Sequence, residues 1–276
     1  MSLHGAPVAV NREHAIGVFD SGIGGLTVVR ALHEALPDER IVYFGDTARL
    51  PYGTKSATTV AGYAAQITEF LLARDVKMLV VACNTMAAVA LPVVTRLASV
   101  PVIDVLEAGA RAAADRAGAR RVAVLATHTT VSSGAYERAI RAQRADLTVI
   151  SQACPLFAPL VEEGWVDHPV TELAAREYLR PVLAADVDAI VLGCTHYPLL
   201  SPLLARLVGP GVVLVDSART TAARARAALA ACDLLRAPGG AAPVHRYYVT
   251  DVPPRFREVA ALCLGHPLPD VQLVPW

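Results

Sequence analysis

Short apolar runs alternate along the chain with longer segments in which apolar residues return every three or four positions. The short runs predict β-strands, at Ala15–Phe19, Ile41–Gly45, Met78–Ala82, Val102–Val105, Val122–Ala126, Thr148–Ser151, Ala189–Leu192 and Val212–Val215. The longer segments predict helices, at Leu26–Leu36, Ser56–Arg74, Ala108–Ala117, Ser132–Arg144 and Val170–Ala184. Strands that are apolar throughout and separated by helices are typical of parallel sheets covered on both faces. The pattern therefore predicts an α/β protein with doubly wound parallel sheets.

Length and charge narrow the class of protein. The chain has 276 residues and is 54% hydrophobic, which is enough for two modest α/β domains or one large one. Its formal net charge is zero, without the basic excess that a nucleic-acid-binding surface needs. No apolar run reaches transmembrane length. The opening segment, MSLHGAPVAVNREHA, is interpreted as a loose extension and lacks the blocks of a secretory signal. We expect a cytoplasmic protein that binds neither nucleic acid nor membrane.

Two of the five cysteines follow predicted strands. Cys83 and Cys194 stand at strand ends, where an open parallel sheet holds its ligand and where the next helix favours negative charge on a thiol. The alternative is that a free cysteine is simply a small apolar core residue. That alternative suits Cys232 and Cys263, which stand inside Ala/Leu-rich helical patterns, and Cys154, which precedes Pro155. The odd number of cysteines and their spacing make a disulfide framework unexpected and fit a reducing compartment.

The chain also contains a weak internal echo. VVACNT at 80–85 resembles VLGCTH at 191–196, and the strand and loop IGVFDSGIGG at 16–25 resembles VAVLATHTTVSSG at 122–134 in position. The two pairs are separated by similar distances along the chain. The echo suggests two related α/β units, each with one cysteine at a strand end.

A pair of thiols suits one kind of chemistry. To invert an α-carbon, one group must remove the proton and a second must return a proton to the opposite face, and the two exchange roles with direction. Thiols allow a protonated and an ionised partner to coexist near neutral pH. The carbanion intermediate can be stabilised by N–H donors in a dry pocket. We therefore interpret the pair as the bases of an amino-acid racemase that needs no cofactor.

Two loops at strand ends are candidate binding elements. FDSGIGGLT has the spacing G-x-G-G, which matches neither the dinucleotide fingerprint nor the P-loop. Within it, Asp20 could cap the helix that begins near Gly25, or it could lie beside a thiol and assist proton transfer. The second loop contains Pro51, Tyr52 and Gly53, which are ordinary turn residues but also stand where binding loops belong.

His196 and Glu162 are candidate partners for the thiols. His196 follows Cys194 and Thr195 directly and could tune the sulfur. Glu162 ends the apolar segment CPLFAPLVEEG and could equally be a solvated helix end. No H-E-x-x-H or C-x-x-C spacing occurs, so we expect no metal site.

Eight segments together resemble the glutamate racemase family of the aspartate/glutamate racemase superfamily. They span roughly residues 16–222 in family order: FDSGIGGLT, YFGDTARLPYGTKS, VACNT, VIDVLEAG, ATHTTVSSGAY, CPLFAPLVEEG, LGCTHYPLL and VDSARTTA. The resemblance implies two α/β domains related by pseudo-twofold symmetry, with the active site between them. It places the first domain at 1–105 plus 216–276 and the second at 106–215. It also implies a homodimer and interconversion of L- and D-glutamate without cofactor or metal, supplying D-glutamate for peptidoglycan.

The resemblance also implies residue roles. By position, Cys83 takes the proton from D-glutamate and Cys194 takes it from L-glutamate. The residues expected to assist these thiols are Asp20, Glu162 and His196. The residues expected to contact the substrate are Asp20, Ser21, Tyr52, Gly53, Asn84, Thr85, Thr195 and His196. Met86 departs from the family, which commonly has a small residue there, and its expected effect is on packing beside the pocket.

Four other functions remain open at this point. A sister racemase would act on aspartate or another acidic substrate. A lyase or decarboxylase on the same scaffold would need one cysteine, whereas two are present. A dinucleotide oxidoreductase is disfavoured by the failed fingerprint. A binding protein without catalysis is disfavoured by the intact pair of cysteines.

Overall fold

Ten strands form two sheets in the computed structural model, which describes residues 10–116, 118 and 120–276. The strands are β1 Ala15–Asp20, β2 Ile41–Gly45, β3 Val76–Val81, β4 Val102–Asp104, β5 Arg121–Ala126, β6 Thr148–Ala153, β7 Ala189–Gly193, β8 Val213–Asp216, β9 Arg246–Val249 and β10 Val271–Leu273. The first sheet has the order β10-β9-β2-β1-β3-β4 and the second has the order β6-β5-β7-β8. Every pairing is parallel. The predicted α/β class is confirmed.

Helices connect these strands, as parallel pairing requires. They are α1 Leu26–Ala35, α2 Ala57–Leu72, α3 Asn84–Val89, α4 Leu91–Leu97, α5 Val105–Ala114, α6 His128–Ser133, α7 Ala135–Gln143, α8 Phe157–Glu162, α9 Pro169–Ala184, α10 Ser201–Val208, α11 Ser217–Ala231 and α12 Phe256–Leu264. Two short 3₁₀ helices occur at Tyr52–Thr54 and Tyr197–Leu200. In the described part of the chain, no helix is long and apolar enough to span a membrane.

The same strand order occurs twice. β2-β1-β3-β4 in the first sheet is repeated as β6-β5-β7-β8 in the second, so β1 corresponds to β5 and β3 to β7. The internal echo in the sequence follows this correspondence. Cys83 and Cys194 therefore leave equivalent strands of two similar units.

The predicted strands are all present with small shifts at their ends, but the helices differ more. The predicted helix Ser132–Arg144 is wrong as a single element: α6 ends at Ser133 and α7 begins at Ala135. Gly134 lies between them with a φ of 64°, a left-handed conformation that glycine adopts without strain. The predicted helix Ala108–Ala117 begins earlier, at Val105, and its predicted last residue, like the first nine residues of the opening segment, lies outside the described residues.

A continuous hydrophobic core joins the two halves. The larger cluster of buried side chains contains most of the first sheet, and it also includes Val122, Val191 and Val215 from the second. Helix α11, which follows β8, packs against both α1 and α5. The carboxyl ends of the two sheets are therefore held in a fixed relation to each other.

Candidate active site

A small cavity lies between the carboxyl ends of the two sheets and has a volume of about 190 Å³. The first half contributes Ser21, Gly22, Leu50, Pro51, Tyr52, Gly53, Cys83, Asn84 and Thr85. The second half contributes Thr127, Ala158, Pro159, Glu162, Cys194, Thr195 and His196. Pockets that bind drug-sized ligands measure about 300–1,000 Å³, so this cavity suits a small metabolite and is too small for a dinucleotide.

The cavity brings together the residues that the sequence singled out, with two exceptions. Asp20 does not line it but lies fully buried behind it, at the end of β1. Met86 is buried in α3 and does not line the cavity either. The remaining candidates from both halves share this one space.

Cys83 occupies an apolar and weakly polar environment. Its sulfur accepts the backbone N–H of Met86 at 3.5 Å, and its S–H donates to Ser21 Oγ at 3.6 Å. Burial raises the pKa of the thiol to about 12, and the nearby Asp20 carboxylate acts in the same direction. In the free protein at neutral pH, Cys83 therefore keeps its proton.

The backbone N–H groups of the glycine loop bind a carboxylate of the protein itself, that of Asp20. Asp20 Oδ2 accepts the backbone N–H groups of Gly22 at 3.2 Å and of Gly25 at 2.9 Å. A side chain at Gly25 would place its Cβ 2.4 Å from Asp20 Cβ, so only glycine allows this close approach. Burial raises the pKa of Asp20, although the hydrogen bonds and His196 oppose that shift. Asp20 thus both accepts the N–H that precedes α1 and acts electrostatically on Cys83.

Cys194 has a different set of neighbours. Its sulfur lies 3.8 Å from His196 Nδ1, and His196 Nε2 lies 3.1 Å from Glu162 Oε1. Burial alone would lower the pKa of His196, but its hydrogen bonds with Cys194 and Glu162 outweigh burial and raise that pKa well above its usual value. The imidazolium that results can stabilise negative charge on the Cys194 sulfur.

The glycine loop also forms a contact between the two halves. A Cβ on Gly24 would lie 2.3 Å from Thr195 Oγ1 and 2.6 Å from His196 Nδ1. Thr27 Oγ1 donates to the Thr195 carbonyl at 3.1 Å. The second glycine of the loop, Gly24, is therefore needed because the second cysteine motif packs directly on it.

The loop that carries Tyr52 and Gly53 is fixed from both sides. The Tyr52 hydroxyl donates to Asp46, whose Oδ2 also accepts Arg49 Nε at 2.6 Å. On the other side, Thr129 Oγ1 donates to the Gly53 carbonyl at 2.9 Å. The loop is therefore a wall of the cavity that is tied to both halves of the molecule.

Sequence reasoning missed Thr127. This residue caps α6 and lines the cavity, and its hydroxyl lies 3.0 Å from those of Thr85 and Thr130. Its position could have identified it, because Thr127 directly follows β5. Asp20 and Cys83 stand in similar places, at the end of β1 and just after β3. The hydroxyl link between Thr85 and Thr127 crosses between the two halves at the cavity wall.

Within the described residues, the remaining cysteines and the possible metal ligands form no second centre of this kind. The five cysteines, all within the described residues, are free thiols, as the sequence predicted. Burial raises the pKa of Cys154 and Cys263 above the usual range. Among residues 10–116, 118 and 120–276, no group of three or more His, Cys, Asp or Glu side chains is arranged to hold a metal ion.

Comparison with known proteins agrees with this geometry. The model of the Asp/Glu/hydantoin racemase family matches residues 16–225. The glutamate racemase of Syntrophus aciditrophicus is 57% identical over 261 residues, covering 95% of this chain and 96% of the relative. The chain therefore belongs to the Asp/Glu/hydantoin racemase family and, within it, to the glutamate racemases, which are isomerases.

Two solved structures share the whole fold. The glutamate racemase of Francisella tularensis, in complex with D-glutamate, has a TM-score of 0.90 at 39% identity and covers 95% of this chain and 98% of its own. The glutamate racemase of Thermus thermophilus, in complex with β-chloro-D-alanine, has a TM-score of 0.86 at 46% identity and covers 96% and 98%. The predicted family and the predicted two-sheet architecture are thus confirmed.

Proposed function

We propose that this protein interconverts L- and D-glutamate by proton transfer at Cα, with Cys83 and Cys194 as the two bases. The observation that carries the proposal is that these two thiols, from equivalent strands of two similar sheets, line one small cavity. A single cavity with one thiol from each half is the arrangement that two-sided proton transfer requires. The F. tularensis relative, whose structure contains D-glutamate, supports the choice of substrate.

The proposed reaction exchanges one proton for another. With L-glutamate, the Cys194 thiolate takes the Cα proton, and the electron pair of the broken C–H bond moves into the adjacent carboxylate. The Cys83 S–H then gives its proton to the opposite face of Cα, which forms D-glutamate and leaves Cys83 as the thiolate. In the reverse direction the two sulfurs exchange roles.

Neighbouring groups are proposed to assist each sulfur differently. The His196 imidazolium, held by Glu162, stabilises the Cys194 thiolate. Asp20 is proposed to assist Cys83, since it is the carboxylate whose charge acts on that sulfur. The ammonium group of the substrate brings a positive charge close to Cys83 and thereby favours its ionisation.

The rest of the cavity is proposed to bind the two carboxylates. Hydroxyl and amide groups converge there, and they can donate to anionic oxygen. These groups belong to Ser21, Asn84, Thr85, Thr127 and Thr195, and to the loop at Tyr52 and Gly53. Several donors in a small cavity can stabilise the carbanion that forms beside the α-carboxylate.

Turnover of pure enantiomers tests the proposal. The protein, freed of pyridoxal phosphate and assayed in chelator, should convert each enantiomer of glutamate into the other and exchange the α-hydrogen for deuterium in heavy water. Parallel assays with aspartate decide between glutamate and a sister substrate, and release of carbon dioxide would indicate a decarboxylase. Absence of exchange from both enantiomers of glutamate would contradict the proposal.

Several wider expectations accompany this function. We propose that the enzyme supplies D-glutamate for peptidoglycan from the cytoplasm and acts as a homodimer. We also propose that the chain divides into 1–105 plus 216–276 and 106–215. The division is supported by the sheets, since β1–β4, β9 and β10 form one of them and β5–β8 the other.

A further inference from the structure

A buried tyrosine of the second half reaches into the first half beneath the cavity. Tyr136, the second residue of α7, donates its hydroxyl hydrogen to Asn84 Oδ1 at 2.6 Å. Tyr136 and Asn84 are each 2% exposed. Asn84 opens α3 directly after Cys83 and lines the cavity. The bond therefore links the body of one half to the cavity wall of the other.

The direction of this hydrogen bond fixes the orientation of the amide. Burial raises the pKa of Tyr136 above its usual value, so the phenol keeps its proton and must donate it. Among the described residues, Asn84 is the hydrogen-bond partner of this hydroxyl. If the amide were reversed, the phenol proton would be buried without an acceptor, which is costly. Asn84 Oδ1 therefore faces Tyr136.

The other end of the amide is free for a ligand. Asn84 Nδ2 is buried and has no hydrogen-bond partner among the described residues. Buried donors without a partner are rare in folded proteins and call for an explanation. Because Asn84 lines the cavity, an acidic ligand there would supply the missing acceptor.

We propose that Tyr136 is a positioning residue that holds the Asn84 amide so that its NH₂ group donates to a carboxylate of the substrate. This inference rests on the proposed function, since it assumes that the cavity binds glutamate. A reversed amide would present an oxygen to the carboxylate and repel it. Tyr136 thus sets the affinity of the cavity for an anion without touching the anion.

The surrounding backbone is shaped to admit the tyrosine ring. Gly134, with its φ of 64°, ends α6 and lets α7 begin immediately before Tyr136. A Cβ at Gly109 would lie 3.2 Å from the Tyr136 hydroxyl, and a Cβ at Gly193 would lie 3.1 Å from its ring. Two glycines, from α5 and from the end of β7, therefore leave the space that the ring fills. Gly193 directly precedes Cys194, so the ring packs under both cysteine motifs.

Tyr136→Phe tests the inference, because it removes the hydroxyl and keeps the ring. The dissociation constant for a 1:1 mixture of L- and D-glutamate, measured by calorimetry, should rise roughly tenfold, the size expected for a hydrogen bond to a charged group. The KM for both enantiomers should rise by a similar factor while kcat changes less than about threefold. A merely structural role would not separate KM from kcat in this way.

Two further comparisons identify the cause. Tyr247→Phe is a matched control, because Tyr247 is also 2% exposed, its hydroxyl has no partner among the described residues, and it lies in β9 away from the cavity. This control should leave affinity unchanged. In an Asn84→Ala background, Tyr136→Phe should cause no further loss, since the amide that it orients is gone.

A second variant covers the case in which Tyr136→Phe does not fold. Gly109→Ala keeps the Tyr136 hydroxyl but places a methyl group 3.2 Å from it. The variant should therefore raise the dissociation constant for glutamate by roughly threefold. Unchanged affinity in Tyr136→Phe, or an equal loss with and without Asn84, would overturn the inference. If the unaltered protein fails to bind or racemise glutamate, the proposed function fails instead, so the two failures are distinguishable.

Discussion

Cys83 and Cys194 stand at equivalent positions of two similar sheets, yet their surroundings differ in charge. Near Cys83 lie the Asp20 carboxylate and apolar groups, and burial keeps its pKa high. Near Cys194 lies His196, whose imidazolium is held by Glu162. The topology of the two sheets therefore determines the positions of the two sulfurs, whereas a few local side chains determine how readily each sulfur ionises.

The difference between the two thiols cannot change the ratio of kcat/KM in the two directions. Two enantiomers have the same free energy in water, so the equilibrium constant of the proposed reaction is one. The ratio kcat/KM must then be equal in both directions at every pH, however unlike the two thiols are. The difference between Cys83 and Cys194 can instead be measured in the reactivity of each thiol, in kcat and KM separately, and in variants that alter the surroundings of one thiol.

The largest expected effect comes from removing one thiol at a time. Cys83→Ser and Cys194→Ser should each lower racemisation by about 10³-fold or more, because a lost general acid or base costs about 10²–10⁴-fold and both sulfurs are needed in either direction. Each variant should retain slow exchange of the α-hydrogen for only one enantiomer, which proton NMR in heavy water measures. Cys232→Ser, at an exposed thiol, is the matched control and should keep full turnover. Full turnover in either active-site variant would refute the two-thiol mechanism.

The reactivity of Cys83 toward iodoacetamide measures its side of the contrast directly. A pKa near 12 means that only about one molecule in 10⁴ carries the thiolate at pH 8. The fraction ionised rises about tenfold per pH unit below the pKa, so alkylation of Cys83 in the free protein should accelerate about 100-fold between pH 8 and pH 10. Peptide mass spectrometry follows this residue separately.

Asp20→Asn should move that alkylation profile to lower pH, because it removes a negative charge that raises the pKa of Cys83. A plateau of the alkylation rate near pH 8 in the unaltered protein would show that Cys83 is not held as the thiol.

The raised pKa of Cys83 also makes the stability of the folded protein depend on pH. The raised pKa contributes stability below about pH 9 that is lost as the pH rises toward 12.

The contact between the two sides can be broken at Gly24. A Cβ at Gly24 would overlap Thr195 and His196, so Gly24→Ala should displace the second motif and lower kcat/KM by roughly 100-fold. Gly62→Ala is the control, since no atom lies within 4 Å of the added Cβ in the exposed face of α2. That control should be neutral, or stabilising by about 0.5–1 kcal/mol, in thermal unfolding. Equal activity of the two variants would show that the contact is dispensable.

Glu162→Gln tests the Cys194 side and has the smallest expected effect. The raised pKa of His196 means that its imidazolium persists above the usual pH, and the Glu162 carboxylate contributes to this. Without that charge, the imidazolium should lose its proton at lower pH, so the alkaline fall in kcat should move to lower pH and kcat at pH 8 should drop about tenfold. Glu163→Gln is the control, because Glu163 contacts Arg255 and not His196. An unchanged pH profile in Glu162→Gln would argue against this assistance.

The strand ends were predictable because their chemistry is contiguous in the sequence. Cys194, Thr195 and His196 follow one another, so a single apolar run locates all three at the edge of a sheet. Asp20 was recognised as a candidate, but its place behind the cavity follows from the tight turn at Gly25, which spacing alone does not reveal. The sequence therefore contained most of the candidate site in three short segments.

The features that were missed depend on contacts between distant segments. Thr127 matters because it meets Thr85, and Tyr136 matters because it meets Asn84; in both pairs the partners come from different halves. The strands β9 and β10 are short and follow a segment rich in Gly and Pro, so they carry too little pattern to be recognised alone. Such elements are defined by the sheet edge that receives them and not by their own sequence.

The repeated strand order has an evolutionary consequence. Because each repeat places one thiol in the same cavity, the proposed mechanism implies that a single substitution of either cysteine leaves a scaffold that can still form a carbanion but can protonate it from one side only. Such a descendant would create or remove a substituent at one face of a carbon atom instead of inverting it. Under the proposed mechanism, a single substitution therefore separates inversion of a carbon atom from chemistry with a fixed handedness.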